Sequence, residues 1–153
     1  MQFSLIAVGR ARKGPEKALY DHYRTRLRWP LDLIEVDLRK AIEPMEKRRE
    51  AEAALILDAL PQGAVLVALD ERGKQLGSRD FAGKINEWQD QGERHTALVI
   101  GGADGLDQSV RDRARLLLSY GKATCPHMLV RAMAAEQIYR AQTILDGHPY
   151  HRD

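Results

Sequence analysis

The sequence predicts an α/β domain, a mostly parallel sheet with flanking helices. Three observations carry this. Five short apolar runs, at 3–8, 31–36, 64–69, 97–100 and 116–119, alternate with segments of helical spacing. Several of the runs are apolar at every position, as strands covered on both faces are. Glycines or polar turns end them, so loops fall where strand gives way to helix, the usual ligand position in open α/β sheets.

The first run, F-S-L-I-A-V, ends at Gly9, and Arg10, Arg12 and Lys13 follow in a glycine-bounded loop. Pro15 suits the first turn of a helix. Ala18, Leu19, Tyr23 and Leu27 are its expected apolar face, and Trp29-Pro30 closes it. Residues 31–36 form the second strand and 37–43 a charged connection. A second helix covers 46–60. Its first half, E-K-R-R-E-A-E, is expected in solvent; its second, A-A-L-I-L-D-A-L, docks before Pro61-Gln62-Gly63 stops it. The third strand is 64–69, followed by a polar loop over 70–77. Ser78 is placed to cap a third helix reaching Gln91, with Phe81, Ile85 and Trp88 inward. The fourth strand runs straight into Gly101 and Gly102, with Gly105 close behind. A short helix over 108–114 and the strand 116–119 come next. After the loop Y-G-K-A-T-C-P the longest helix covers 127–145, with Met128, Ala132, Ala135, Tyr139 and Gln142 on one side. Gly147 ends it. No repeat or linker divides the chain, and residues 1–153 read as one domain.

The 44% apolar content supplies a packed core, and the 30% charged content a hydrated surface. A net charge of +2 is too small to name nucleic acid as partner. The one cysteine, Cys125, excludes an internal disulfide framework and a Cys-rich zinc site, and suits a reducing cytoplasm. The opening residues lack the basic lead of a signal peptide. No apolar stretch is long enough to cross a membrane as a helix. The expectation is a cytoplasmic chain with no membrane contact.

The glycine turn fits neither known phosphate fingerprint. The P-loop pattern G-x-x-x-x-G-K-[ST] is absent, and no G-x-G-x-x-G follows the first strand. A lone G-G-x-x-G is first of all a tight turn. The second strand-end loop, 120–126, changes its weight. Small residues in both loops leave backbone donors and acceptors free, and two such loops can wall one pocket for an adenine.

Several ordered motifs now stand together: A-V-G at 7–9, L-D-x-x-G-K at 69–74, I-G-G-x-x-G-L at 100–106 and L-S at 118–119. T-x-P-H at 124–127, E-Q-x-Y-R-A at 136–141 and H-P-Y-H-R at 148–152 complete the set. With these the chain resembles, over essentially its full length, the RlmH family of SPOUT-class methyltransferases, which act on a pseudouridine of large-subunit ribosomal RNA. The resemblance implies a SPOUT-type fold with a C-terminal trefoil knot and a homodimer. It implies S-adenosylmethionine as methyl donor, no metal, and methylation at N3 of the pseudouridine on the assembled ribosome. By position, the cofactor contacts fall on Leu69, Gly101, Gly102 and Gly105, and on Tyr120, Gly121, Lys122, Ala123, Thr124 and Cys125. Cys125 stands where the family more often has a larger apolar residue, and Gly121 where serine is common.

Methyl transfer from a sulfonium needs positioning more than acid–base power, but N3 must lose its proton first. His127, Arg131, Tyr139, His148, Tyr150, His151 and Arg152 are the candidates, with Tyr150, His151, Arg152, Arg131 and His127 in front. Arginines at 131 and 152 suit phosphate or a developing anion, and Tyr150 suits stacking on a base. The tail, 149–152, is expected to fold over the cofactor. Each has a plainer reading. Terminal tails fray, Cys125 and Tyr139 suit simple packing, and His127 can cap its helix. The spacing of His148 and His151 is a poor metal signal without a carboxylate. Most basic runs are solvated faces; Arg10, Arg12 and Lys13 are singled out for RNA phosphate because their loop leaves a strand end. The last helix is apolar around much of its circumference, which calls for a second copy or for cover within the chain. Against the enzyme stands a non-catalytic dimeric ribosome- or RNA-binding module. A dinucleotide oxidoreductase lacks its first-strand glycines.

Overall fold

The computed structural model describes residues 1–152. The strands are β1 (Gln2–Val8), β2 (Leu31–Val36), β3 (Val65–Lys74), β4 (His95–Ile100) and β5 (Leu116–Leu118). The helices are α1 (Pro15–Arg26), α2 (Met45–Asp58), α3 (Ser78–Asp90), α4 (Gln108–Arg113) and α5 (His127–Leu145). The strands form one sheet in the order β2-β1-β4-β3-β5, with every pairing parallel. All strand C-termini therefore open on the same edge, with the end of β4 at its middle.

Successive strand residues point to opposite faces, and here both faces are covered. Phe3, Leu5, Val67 and Leu98 pack with Tyr20 of α1, Phe81 and Ile85 of α3 and Ile138 of α5. On the other side Ile6, Leu66, Ala97 and Val99 meet Ala53 and Ile56 of α2 and Val110 of α4. The all-apolar runs are the signature of that arrangement. Gln142 of α5 ties the turn after α1: its Oε1 accepts from the backbone N–H groups of Arg28 (2.9 Å) and Trp29 (3.0 Å).

Four expectations are corrected. First, β3 does not end at Leu69. The polar run to Lys74 continues as strand because its backbone pairs with β5: Lys74 sits opposite Leu118, and its carbonyl accepts from the Ser119 N–H at 2.9 Å. A Cβ at Gly73 would lie 2.6 Å from β5 backbone atoms, so close passage requires glycine. Second, Ser78 does not cap α3. Gly77 occupies that position, and the Ser78 hydroxyl donates to Gln137 Oε1 at 3.0 Å. Third, Tyr20 is the buried residue of α1, while Ala18 and Leu19 face solvent. Fourth, Glu52, placed in the solvated half of α2, is buried.

The apolar circumference of α5 is largely covered inside the chain, because α1 and α3 pack along it. Met128, Leu129, Val130 and Met133 stay half-buried. Among the described residues no helix is long and apolar enough to cross a membrane.

Candidate functional site

At the C-terminal edge of the sheet, β4 passes into a turn that only small residues can make. A Cβ at Gly101 would stand 2.9 Å from the Gly105 carbonyl carbon. Gly105 has φ +79°, a conformation costly for residues with a Cβ, and its N–H donates to the Gly102 carbonyl at 3.0 Å. Leu106 is buried behind the turn. Asp107 then caps α4, its carboxylate accepting from the Ser109 N–H at 2.9 Å; that bond holds its carboxyl below the ordinary range.

The second bend follows β5. The Ser119 hydroxyl accepts from the Gly121 N–H and donates to the Gly121 carbonyl, both at 3.1 Å. This closes a small ring around a glycine at φ +123°. Pro126 then admits α5. Between the bends lies a cavity of about 480 Å³, within the range of small-molecule sites. Gly101, Gly102, Gly105, Tyr120, Gly121, Ala123, Thr124 and Cys125 line it, with Leu69 from β3 and His127 at the start of α5. Lys122 does not; it is exposed. His127 makes no capping bond, since Pro126 is the cap position. One ion pair braces the wall: Arg111 donates to Asp70 at 3.1 Å and to the Leu106 carbonyl at 2.6 Å, with both side chains nearly buried.

The tail lies elsewhere. Tyr150 lines a second cavity, about 650 Å³, with Tyr23, Ser78, Glu136 and Arg140. Leu118, Ser119 and Tyr120 belong to both cavities and so stand between them. The Tyr150 hydroxyl donates to Glu136 Oε1 at 3.1 Å and lies 3.3 Å from the Tyr23 hydroxyl. Arg140 donates to the same carboxylate, meets His151 Nδ1 at 3.2 Å, and lies over the Tyr150 ring at 4.8 Å. Arg26 lies over Tyr139 at 4.6 Å. Burial raises the phenols of Tyr120 and Tyr150; for Tyr150 the Tyr23 bond and the Glu136 charge add to it. Both are hydrogen-bond donors at neutral pH, not bases. Tyr139 is buried, and its ring stands 4.8 Å from that of Tyr150. His148 Nδ1 accepts from the Tyr150 N–H at 3.1 Å, and Arg152 is exposed.

Arg131 does not reach either cavity. It is buried, paired with Glu35 at 2.7 Å, and donates to the Val8 and Gly9 carbonyls. Glu35 also accepts from the Ala11 N–H. The pair thus pins the loop that presents Arg10, Arg12 and Lys13, all exposed. Sequence reasoning missed Arg49 and Met45 on the wall, and Glu52 behind it. Their helix carries little amphipathic signal, and only the fold brings it to the glycine turn. No group of three metal-ligating side chains occurs among the described residues.

A family model described as "Predicted SPOUT methyltransferase" matches residues 1–151. Ribosomal RNA large subunit methyltransferase H of Rhodospirillum centenum is 59% identical over 152 residues, covering 99% of each chain. The protein of the same name from Ruegeria pomeroyi is 52% identical over 155 residues, again covering 99% of each. Among solved structures, a probable methylase family protein from Haemophilus influenzae superposes with TM-score 0.59 at 12% identity, covering 99% of this chain and 70% of that one. Ribosomal RNA small subunit methyltransferase E from Neisseria gonorrhoeae, bound to S-adenosyl methionine, gives 0.51 at 14% identity, covering 95% and 66%. At such identities the superpositions speak for the fold, while the sequence matches decide the membership: this chain belongs to the SPOUT methyltransferases, in the family of ribosomal RNA large subunit methyltransferase H.

Proposed function

We propose that this chain is an S-adenosylmethionine-dependent methyltransferase of large-subunit ribosomal RNA that methylates N3 of a pseudouridine on the assembled ribosome. The observation that carries the reading is the cavity between the two glycine bends. Its size suits a nucleoside-sized donor, and its walls include the glycines at 101, 102, 105 and 121. The relatives' shared name supports the ribosomal substrate.

Residues 101–105 and 120–125, with Leu69, would hold the donor, which supplies an electrophilic methyl on sulfur when bound. The chain's own task is to bring N3 in line with that methyl and to favour its anion. His127 is the titratable side chain on the donor cavity best placed to accept the N3 proton, standing beside Thr124 and Cys125. Tyr120, whose hydroxyl has no partner among the described residues, stays protonated and is the donor toward a carbonyl oxygen of the target base, while Tyr150, its hydroxyl held by Glu136, offers its ring for stacking. Arg152 is free in position to balance the anion or hold phosphate, and Arg10, Arg12 and Lys13 hold phosphate at a greater distance. Tail residues complete the site from the side of the second cavity, across Leu118 to Tyr120. Arg131 acts indirectly, by fixing the basic loop. The knot, the cytoplasmic location and a homodimer formed through the half-buried first turns of α5 belong to the same reading.

The test is labelled methyl transfer to ribosomes from a strain lacking this protein, followed by mapping of the modified nucleotide. Label on N3 of one large-subunit pseudouridine is the expected result. Calorimetry with S-adenosylmethionine separates the enzyme from a non-catalytic RNA-binding module, which would show no heat.

A further inference from the structure

The tail is turned back onto the fold by a built device, and α1 helps to hold it there. After α5, Gly147 stands at φ +68° and its N–H donates to the Ile144 carbonyl at 3.1 Å, while the His148 N–H donates to the Thr143 carbonyl at 2.8 Å. This pair of bonds around a left-handed glycine is the helix stop that reverses a chain. The reversal brings Tyr150 alongside the helix it has just left, its hydroxyl on Glu136 and its ring 4.8 Å from that of Tyr139. Those partners belong to α5 itself. Two more come from α1: the Tyr23 hydroxyl, 3.3 Å from that of Tyr150, and the guanidinium of Arg26.

Arg26 differs from the arginines around it. Arg24 donates to the Leu31 carbonyl at 3.0 Å, Arg28 pairs with Asp146, and Arg140 with Glu136. Arg26 is exposed, makes no ion pair among the described residues, and meets the His22 ring at 3.3 Å. Its guanidinium lies over two rings, 4.6 Å from the centre of Tyr139 and 5.5 Å from that of Tyr150. Both fall within the roughly 6 Å over which a ring face attracts a cation. A cation in the last turn of a helix suits the helix dipole wherever it points, so the dipole accounts for the charge and not for its direction. Arg26 lines neither cavity. We propose that Arg26 is a positioning residue for methyl transfer: by bridging the Tyr139 and Tyr150 rings it clamps the returning tail against α1 and fixes where the Tyr150 ring, His151 and Arg152 stand. The inference rests on the reading of the tail as part of the methylation site. Arg26 acts through Tyr150, and its contacts are exposed, so its loss weakens the reaction without abolishing it.

The experiment reads amide hydrogen exchange at residues 150–152 beside steady-state methyl transfer to ribosomes. Arg26→Gln should speed that exchange and lower kcat, each by about fivefold or more, as two exposed cation–ring contacts warrant. Donor affinity, the KM for ribosomes and the melting temperature should hold. Arg26→Lys keeps a cation but not the flat guanidinium, and should recover part of both losses. In Tyr150→Leu, which lacks the ring, adding Arg26→Gln should not speed exchange further; in Tyr150→Phe, which keeps it, the addition should. Arg94→Gln, which removes an exposed cation just before β4, should alter nothing. Unchanged exchange in Arg26→Gln would overturn the proposal, as would faster exchange with full kcat. A raised KM at undiminished kcat would make Arg26 an RNA contact, and a joint fall in melting temperature and donor affinity would make it a packing residue; either overturns the clamp. A wild-type chain that transfers no methyl group to ribosomes would overturn the proposed function instead, and the exchange data would still decide whether Arg26 holds the tail.

Discussion

The two cavities at the sheet's C-terminal edge share the wall of Leu118, Ser119 and Tyr120, yet they are built by opposite means. The first is framed by two glycine-dependent backbone bends. Its bends need glycine at 101 because Gly105 passes at 2.9 Å, and at 105 and 121 because of positive φ. The second is made of side chains: Tyr23, Tyr150, Glu136 and Arg140 in one hydrogen-bonded, ring-stacked cluster. A backbone site holds a ligand rigidly but supplies little chemistry. A side-chain site supplies protons and charge but depends on a chain end to stay assembled. The proposed function divides accordingly, with donor binding assigned to the first and handling of the target base to the second.

The sharpest way to break this comparison is to remove the tail after Gly147. Methyl transfer to ribosomes should fall below detection, while affinity for S-adenosylmethionine stays within about twofold of wild type, since no backbone bend is touched. Full activity in the truncated protein would show that the second cavity plays no part. The reverse experiment is Gly101→Ala. Forcing a Cβ against Gly105 costs on the order of 1–3 kcal/mol, and calorimetry should find donor affinity down by about ten- to a hundredfold. Unchanged affinity would mean that the turn does not hold the donor.

A smaller effect belongs to neither cavity. Replacing Arg10, Arg12 and Lys13 together by glutamine should weaken ribosome binding and reduce its log–log salt slope by about 2, as loss of phosphate contacts requires. Donor affinity should not move. The smallest effect concerns stability. His95, at the far end of β4, sits 2.9 Å from the Ser4 hydroxyl, and burial pulls its imidazole below the ordinary 6.5, opposed by Asp32. With the folded value depressed, the unfolded chain binds the proton more readily. Stability is therefore full above 6.5 and falls as pH drops below it. A melting series from pH 7.5 to 5 should flatten at its acid end in His95→Gln, with donor affinity at pH 7.5 untouched.

The sheet was legible because burial on two faces leaves unbroken apolar runs, and all five strands stand where those runs stand. The polar extension of β3 was not, because its pairing with β5 is a backbone affair that side chains at 70–74 do not advertise. The same contrast holds in the site. Backbone-built bends announce themselves as glycines after apolar runs, so the glycines at 101, 102, 105 and 121 could be named beforehand. Side-chain roles depend on which distant helix arrives. Arg131 reads as a catalytic candidate in sequence but is bound to Glu35, 96 positions away. Glu52 reads as a solvated charge but is buried against a turn 50 residues on. No local pattern encodes either encounter.

Whether the two bends jointly grip the methyl donor is read from a crystal structure of the chain with S-adenosylmethionine. Donor density is expected between residues 101–106 and 120–125, with the second cavity left to the tail. Donor density in the cavity lined by Tyr150, or bends too far apart to share one ligand, would contradict it.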